Sequence, residues 1–229
     1  MDESLRTTPY GYAVPSVEQR NRVLRNTYWL LALSMVPTVL GAWLGVATGV
    51  VASMGVGMSF IVFMVGAFGF IYAIEKTKNS AAGVPVLLGF TFFMGLMLSR
   101  LLAFVLGFSN GTTLVMTAFG GTAVAFFAMA TLSTVIKRDL STMGKFLSIG
   151  AIMLLVAIVL NLFVQSSALF VTIAVLMVGI FSAFIVYDLK RVRDGEETNY
   201  ISATLAIYLD LYNIFQALLS LLGFAGSRD

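Results

Sequence analysis

Seven long apolar runs, separated by short polar segments, make up most of this chain. A helix needs about 20 mostly apolar residues to cross the hydrocarbon core of a bilayer. The pattern predicts such spans at 26–47, 53–74, 82–106, 112–136, 143–164, 168–189 and 200–223. Transmembrane β-strands are shorter and alternate apolar with polar residues. The pattern therefore indicates an all-α, polytopic membrane protein built as a seven-helix bundle, and it does not fit a β-barrel.

The composition agrees with a membrane location. Hydrophobic residues make up 59% of the 229 positions and charged residues only 11%, whereas roughly a quarter of the residues in a soluble domain are charged. So few charges cannot cover a water-facing surface, and the lipid bilayer is the expected surroundings. We assign residues 1–25 to a cytoplasmic N-terminal tail and residues 26–229 to one transmembrane domain.

Cysteine and histidine are both absent from the chain. Their absence excludes disulfides, a thiolate nucleophile and the usual histidine proton switch. The net charge of +3 comes from basic residues in short loops and not from one basic face, so we expect no nucleic-acid partner. Any group that titrates inside the membrane has to be a carboxyl or a lysine.

The basic residues mark one side of the predicted bundle. Of the 14 Lys and Arg residues, all but Arg100 and Arg228 lie in the tail, in the loops that follow the second, fourth and sixth spans or, for Lys145, at the start of the fifth span. Loops rich in Lys and Arg stay in the cytoplasm. The sequence therefore predicts a multi-pass protein of the cytoplasmic membrane with its N-terminus inside.

Small residues recur at a four-residue spacing in the first span, at Gly41 and Gly45. This spacing lets two helix backbones approach closely in a membrane. We interpret it as packing within the bundle and not as a dimer seam, which favours a monomer over an oligomer.

Asp188 and Asp210 are the only acidic residues that hydropathy places within the membrane. A carboxyl at this depth normally faces a partner, a cavity or a pathway. Asp188 lies roughly 10 Å and Asp210 roughly 16 Å from the loop between the last two spans, so helix tilt and side-chain reach could bring them together. The alternative for Asp188 is a helix-end acid that is solvated or paired with Lys190 or Arg191.

Two such carboxyls at hydrogen-bond distance would share one proton and titrate as a unit. They would form a pH sensor without histidine. Calcium takes about 6–8 oxygen ligands, of which two carboxylates supply at most about four. Carbonyls, water or Asn213 would have to complete the shell, and Tyr187 places a phenol nearby. We therefore expect Asp188 and Asp210 to hold Ca²⁺ transiently, as a transported or sensed ion, with no tightly bound cofactor.

Arg100 is the third charge within the apolar runs and is a candidate counter-ion for the acids. Its depth argues against that role, because it lies roughly 27 Å along its span from the cytoplasmic end and only about 9 Å from the outer end. Snorkelling to the outer surface is the favoured interpretation, and a role in an outer vestibule is the alternative.

Paired membrane aspartates also occur in intramembrane proteases. Here the second acid lies in Tyr208-Leu-Asp-Leu-Tyr212 and not in a Gly-x-Gly-Asp motif. No phosphate-binding loop or nucleotide motif is present in the sequence either. We therefore expect that the protein is not an enzyme.

Several local motifs together resemble those of one known family. They are Val23-Leu-Arg-Asn-Thr-Tyr-Trp-Leu-Leu31, Gly120-Gly-Thr-Ala123, Gly195-Glu-Glu-Thr-Asn-Tyr-Ile201, Tyr208-Leu-Asp-Leu-Tyr-Asn-Ile-Phe215 and Leu218-Leu-Ser-Leu-Leu-Gly-Phe224. On these residues the chain resembles the Bax inhibitor (TMBIM) family, and within it the bacterial YccA-like branch.

The resemblance implies a seven-helix bundle whose last helix is central, with a paired-aspartate site between the sixth and seventh spans. It also implies a pH-dependent Ca²⁺ leak, and Asp188 and Asp210 fall at the two acidic positions. The YccA-like branch is further associated with restraint of the membrane protease FtsH. Modulation of FtsH by protein contact is therefore the alternative function.

Overall fold

Helices account for nearly all of the chain between residues 15 and 226, which are the residues that the computed structural model describes. In this part of the chain there are eight: α1 (Val17–Thr48), α2 (Val50–Ser53), α3 (Val56–Thr77), α4 (Gly83–Leu106), α5 (Gly111–Val135), α6 (Ser141–Val164), α7 (Ser167–Asp194) and α8 (Tyr200–Gly226). Seven of these are long and apolar enough to cross a membrane, and α2 is a single turn. The predicted all-α fold and its seven spans are confirmed.

The first helix begins earlier than hydropathy predicted. Ser16 and Gln19 form a capping box: Ser16 Oγ accepts from the Gln19 amide at 3.2 Å, and Gln19 Oε1 accepts from the Ser16 amide at 2.9 Å. Such reciprocal bonds satisfy backbone donors at a helix start. Residues 17–25 of the predicted tail are therefore helical, whereas residues 1–14 lie outside the described part of the chain.

The last helix occupies the centre of the bundle. α8 packs against α1, α3, α4, α5 and α7, whereas α6 packs mainly against α7. Both small and large residues of α8 are fully buried, such as Ala203 and Ile214. The central position that the family resemblance implied is thus present, and any movement of α8 must change several helix contacts.

The helix ends that carry the basic residues meet on one side of the bundle. Arg20 Nη1 donates to the backbone carbonyl of Arg193 at 3.3 Å, which joins the start of α1 to the end of α7. Asn199 Nδ2 donates to the Lys78 carbonyl at 3.0 Å and to Asn79 Oδ1 at 2.9 Å, which joins the α7–α8 loop to the α3–α4 loop. We call this side the basic end.

α1 and α4 approach each other at backbone distance. The Cα of Gly41 faces the Phe92 carbonyl oxygen, and the Cα of Gly95 faces the Thr38 carbonyl oxygen; a methyl group added at either glycine would overlap that oxygen. Because the obstacle is backbone, it cannot rotate away as a side chain would. Gly41 thus serves packing within the bundle, as its spacing predicted.

We expect Gly95→Ala to destabilise the folded protein by about 1–3 kcal/mol, because the added methyl overpacks the α1–α4 contact. Thermal unfolding of the purified full chain in detergent measures this loss. Gly120→Ala is the matched control, since nothing lies within 4 Å of its added methyl. Equal unfolding midpoints for the two variants would contradict the close approach.

Candidate functional site

Asp188 and Asp210 lie on neighbouring antiparallel helices that pack along each other. Asp188 is near the C-terminus of α7, and Asp210 is near the middle of α8. Their exposed fractions are only 9% and 4%. Both acids are therefore enclosed by the bundle, and neither is a solvated residue at a helix end.

The carboxyl groups of Asp188 and Asp210 lie close enough to interact with each other. Oδ2 of Asp210 is buried, and among residues 15–226 no N–H or O–H group donates to it. Two ionised carboxylates contain only acceptors, whereas a protonated carboxyl can donate. A hydrogen bond between Asp188 and Asp210 thus requires one proton on the pair. Without that proton, the contact becomes a repulsion between two like charges.

Charged groups lie on the loop side of Asp188. Its Oδ1 is 3.8 Å from Nη1 of Arg191, whose Nε is 3.8 Å from Oε2 of Glu196. The Glu197 carboxyl also acts electrostatically on Asp188. Lys190, the other basic partner considered for Asp188, pairs instead with Asp194. Asp188 consequently lies between a buried acid and a loose, mixed-charge cluster.

Local sequence fixes the turn that brings the two acids together. Gly195 ends α7 in the left-handed region at φ 84°, where a side chain would be strained. Oδ1 of Asn199 then accepts from the amides of Ile201 and Ser202 at 2.9 and 3.1 Å and so caps α8. These bonds set where α8 begins, and hence how deep Asp210 lies beside Asp188.

Asn213 and Tyr187, which the sequence suggested as supporting residues, have other partners. Asn213 Nδ2 donates to the Leu209 carbonyl of its own helix at 2.8 Å. The Tyr187 ring packs against Gly144 of α6 and lies 5.6 Å from the Arg191 guanidinium. Tyr187 therefore borders the charged cluster, whereas the amide of Asn213 is engaged along its own helix.

Arg100 lies at the opposite end of the bundle from the acids, as its depth predicted. Its Nη1 donates to the Met54 carbonyl at 3.0 Å and to Ser59 Oγ at 3.4 Å. Arg100 therefore ties α4 to the turn between α2 and α3, at the end toward which snorkelling was expected. It supplies no counter-charge to Asp188 or Asp210.

A ladder of hydroxyl groups along α8 is a feature that the sequence analysis did not assign. Tyr208 Oη is 2.9 Å from Thr38 Oγ1 on α1, and Tyr212 Oη donates to the Met94 carbonyl of α4 at 3.3 Å. Thr204, one turn earlier, donates to the Tyr200 carbonyl at 2.7 Å. The signal for this ladder was the four-residue spacing of Thr204, Tyr208 and Tyr212, which places them on one helix face.

Among the described residues, no group of three or more Asp, Glu, His or Cys side chains could hold a metal ion. Asp188 and Asp210 together supply at most about four oxygen ligands of the 6–8 that calcium takes.

Comparisons with known proteins identify the relatives of this chain. The family model described as "Inhibitor of apoptosis-promoting Bax1" matches residues 20–227. A protein of Escherichia coli strain K12 named "Modulator of FtsH protease YccA" is 36% identical, over 93% of this chain and 94% of the relative. An Escherichia coli O6:H1 protein named "Inner membrane protein YccA" gives the same values. A membrane protein of Vibrio cholerae is 36% identical over 97% of this chain and 99% of its own.

These matches and the seven apolar helices together indicate a multi-pass inner-membrane protein. Neither of the two names given to the Escherichia coli relatives describes an enzyme.

We expect the stability of the folded protein to fall as the pH rises. A proton shared by Asp188 and Asp210 in the folded state, and released by the unfolded chain, would make stability fall by at most about 1.4 kcal/mol per pH unit. In Asp210→Asn the amide donates to Asp188 without a titratable proton, so this slope should flatten. Thermal unfolding of the full chain in detergent over a pH series measures the slope.

Asp194→Asn is the control for this prediction, because it also removes one carboxylate but leaves the buried pair intact. It should keep the wild-type slope. Parallel slopes for wild type and Asp210→Asn would contradict the shared proton.

Proposed function

This chain belongs to the Bax inhibitor family, and from that premise we propose that it modulates a membrane protease of the FtsH type through protein contact. Support comes from the name of the Escherichia coli K12 relative, "Modulator of FtsH protease YccA". The similarity extends along nearly the whole of both chains, so almost every segment of that relative has a counterpart here.

A non-catalytic role agrees with the chemistry of the chain. Cysteine and histidine are absent, which leaves carboxyls, hydroxyls and lysine amines as the candidate catalytic groups. The hydroxyls of Tyr208 and Tyr212 bond to neighbouring helices within the bundle. The buried carboxyls of Asp188 and Asp210 face each other. These hydroxyls and carboxyls are engaged in contacts between helices of the bundle. Contact with another protein is therefore the simplest mode of action.

The N-terminal segment is the part through which we propose that the protease is reached. α1 is capped by Ser16 and Gln19, so removal of residues 2–14 leaves the helix start intact. Arg20, which joins α1 to the end of α7, is also retained. A deletion of residues 2–14 therefore tests the segment while it keeps the described contacts of α1.

In an Escherichia coli strain that lacks its own YccA, we expect this protein to lengthen the half-life of a membrane substrate degraded by FtsH. The variant without residues 2–14 should lose most of that effect at equal membrane abundance. Pulse-chase labelling measures the half-life, and crosslinking followed by purification detects the contact. An unchanged half-life with the full chain, or FtsH absent from the crosslinked material, would refute this function.

The facing carboxyls favour a second function, a pH-gated leak of Ca²⁺ across the membrane. With one shared proton, Asp188 and Asp210 hold α7 against α8. Loss of the proton leaves two negative charges that repel each other and attract a cation. Nη1 of Arg191 lies 3.8 Å from Oδ1 of Asp188. Arg191 can therefore form an ion pair with Asp188 when the two acids separate. Since α8 packs against five helices, its displacement would open the bundle widely.

For this leak, we expect Ca²⁺ flux into proteoliposomes to rise as the pH rises. The double variant Asp188→Asn, Asp210→Asn should lose the pH response, because neither amide titrates. Asp194→Asn is the control and should respond as wild type does. A double variant with the wild-type flux and pH response would end this proposal, whereas the protease function would be unaffected by that result.

A further inference from the structure

A cavity of about 470 Å³ opens at the basic end, between the start of α1 and the ends of α5 and α7. Cavities of this volume accommodate small ligands or the headgroup of a larger one. Its lining contains four cationic side chains and one carboxylate, namely Arg20, Lys137, Lys190, Arg193 and Asp194. Asp188 and Asp210 do not line it, so the cavity is distinct from the buried acid pair.

The electrostatics of the cavity favour an anion. Its single carboxylate, on Asp194, is already paired with Lys190. Arg20 Nη1 donates to the Arg193 carbonyl, so the Arg20 guanidinium is held at the wall of the cavity. The planar guanidinium of arginine is especially suited to phosphate oxygens.

An apolar groove continues from the cavity along α1. Asn21 and Leu24 line both the cavity and the groove, which is completed by Arg25, Tyr28 and Trp29. Trp29 is 74% exposed, and tryptophan and tyrosine concentrate at the bilayer interface. A ligand with an anionic head and an apolar body would fit both parts, whereas free phosphate would use the cavity alone.

We propose that this cavity binds the phosphate of an anionic phospholipid, with the apolar part of the lipid along the groove of α1. Basic pockets between transmembrane helices suit such headgroups. The lipid would join α1, α5 and α7, which together line the cavity. Because it would bind the folded bundle and not the unfolded chain, it would raise the stability of the protein.

Titration of the full chain in neutral detergent with phosphatidylglycerol tests this site, with phosphatidylcholine and inorganic phosphate as separate arms. Thermal unfolding and native mass spectrometry report binding. We expect phosphatidylglycerol alone to stabilise the protein strongly. Lys137→Gln should weaken its affinity about fivefold, the effect of removing one basic residue near an anionic headgroup. Lys137→Arg should keep the affinity.

Lys76→Gln is the matched control, because Lys76 is also an exposed basic residue at the basic end but does not line the cavity. It should bind as wild type does. Equal losses in Lys137→Gln and Lys76→Gln would indicate diffuse surface charge and overturn the site. Equal stabilisation by phosphatidylcholine, or full stabilisation by inorganic phosphate, would overturn the assignment to an anionic lipid.

Discussion

In a bilayer, a buried polar side chain must find its hydrogen-bond partner within the protein, and α8 carries several such side chains through the centre of this bundle. The hydroxyl of Tyr208 bonds to Thr38 on α1 and that of Tyr212 to the backbone of α4. These bonds are available because α1 and α4 approach at backbone distance around Gly95, which faces the carbonyl of Thr38 itself. The glycine contact and the tyrosine ladder thus stabilise the same arrangement, and together they fix the depth of α8.

On the side of α8 that faces α7, the polar contact is made by acids and not by hydroxyls. Tyr208 and Tyr212 use neutral hydroxyls, whose bonds persist across the physiological pH range. Asp210, in contrast, faces Asp188, and two ionised carboxylates would offer each other no donor. The central helix is therefore joined to α1 and α4 by neutral hydrogen bonds, whereas its polar contact with α7 is between two acids. A change of charge at the acid pair would act on the α7–α8 contact first.

The sequence predicted those features that the bilayer itself dictates. Seven spans could be predicted because each must be apolar for about 20 residues. Asp188 and Asp210 could be singled out because a carboxyl at that depth is costly and normally faces a partner, a cavity or a pathway. The start of α1 at Val17 was missed because a capping box and its polar first turns carry no hydropathy signal. The partners of Arg100 and Asn213 could not be predicted either. The partner of Arg100 depends on how the α2–α3 turn folds over α4. The partner of Asn213 is the Leu209 carbonyl of its own helix, which competes with any other acceptor for the Asn213 amide.

The end of α7 carries two sets of charges on different faces of the same helix. A movement of this helix would therefore move both sets. Asp188 and Arg191, one turn apart, lie toward α8 and its loop, whereas Lys190 and Arg193 line the cavity beside α1 and α5. Any shift of α7 away from α8 would therefore also move Lys190 and Arg193 relative to Arg20. A ligand that holds α7 against α1 and α5 would oppose or favour that shift, and the proton on the acid pair would change the ligand's affinity by the same factor. Membrane composition and pH would then act on one helix, through opposite faces.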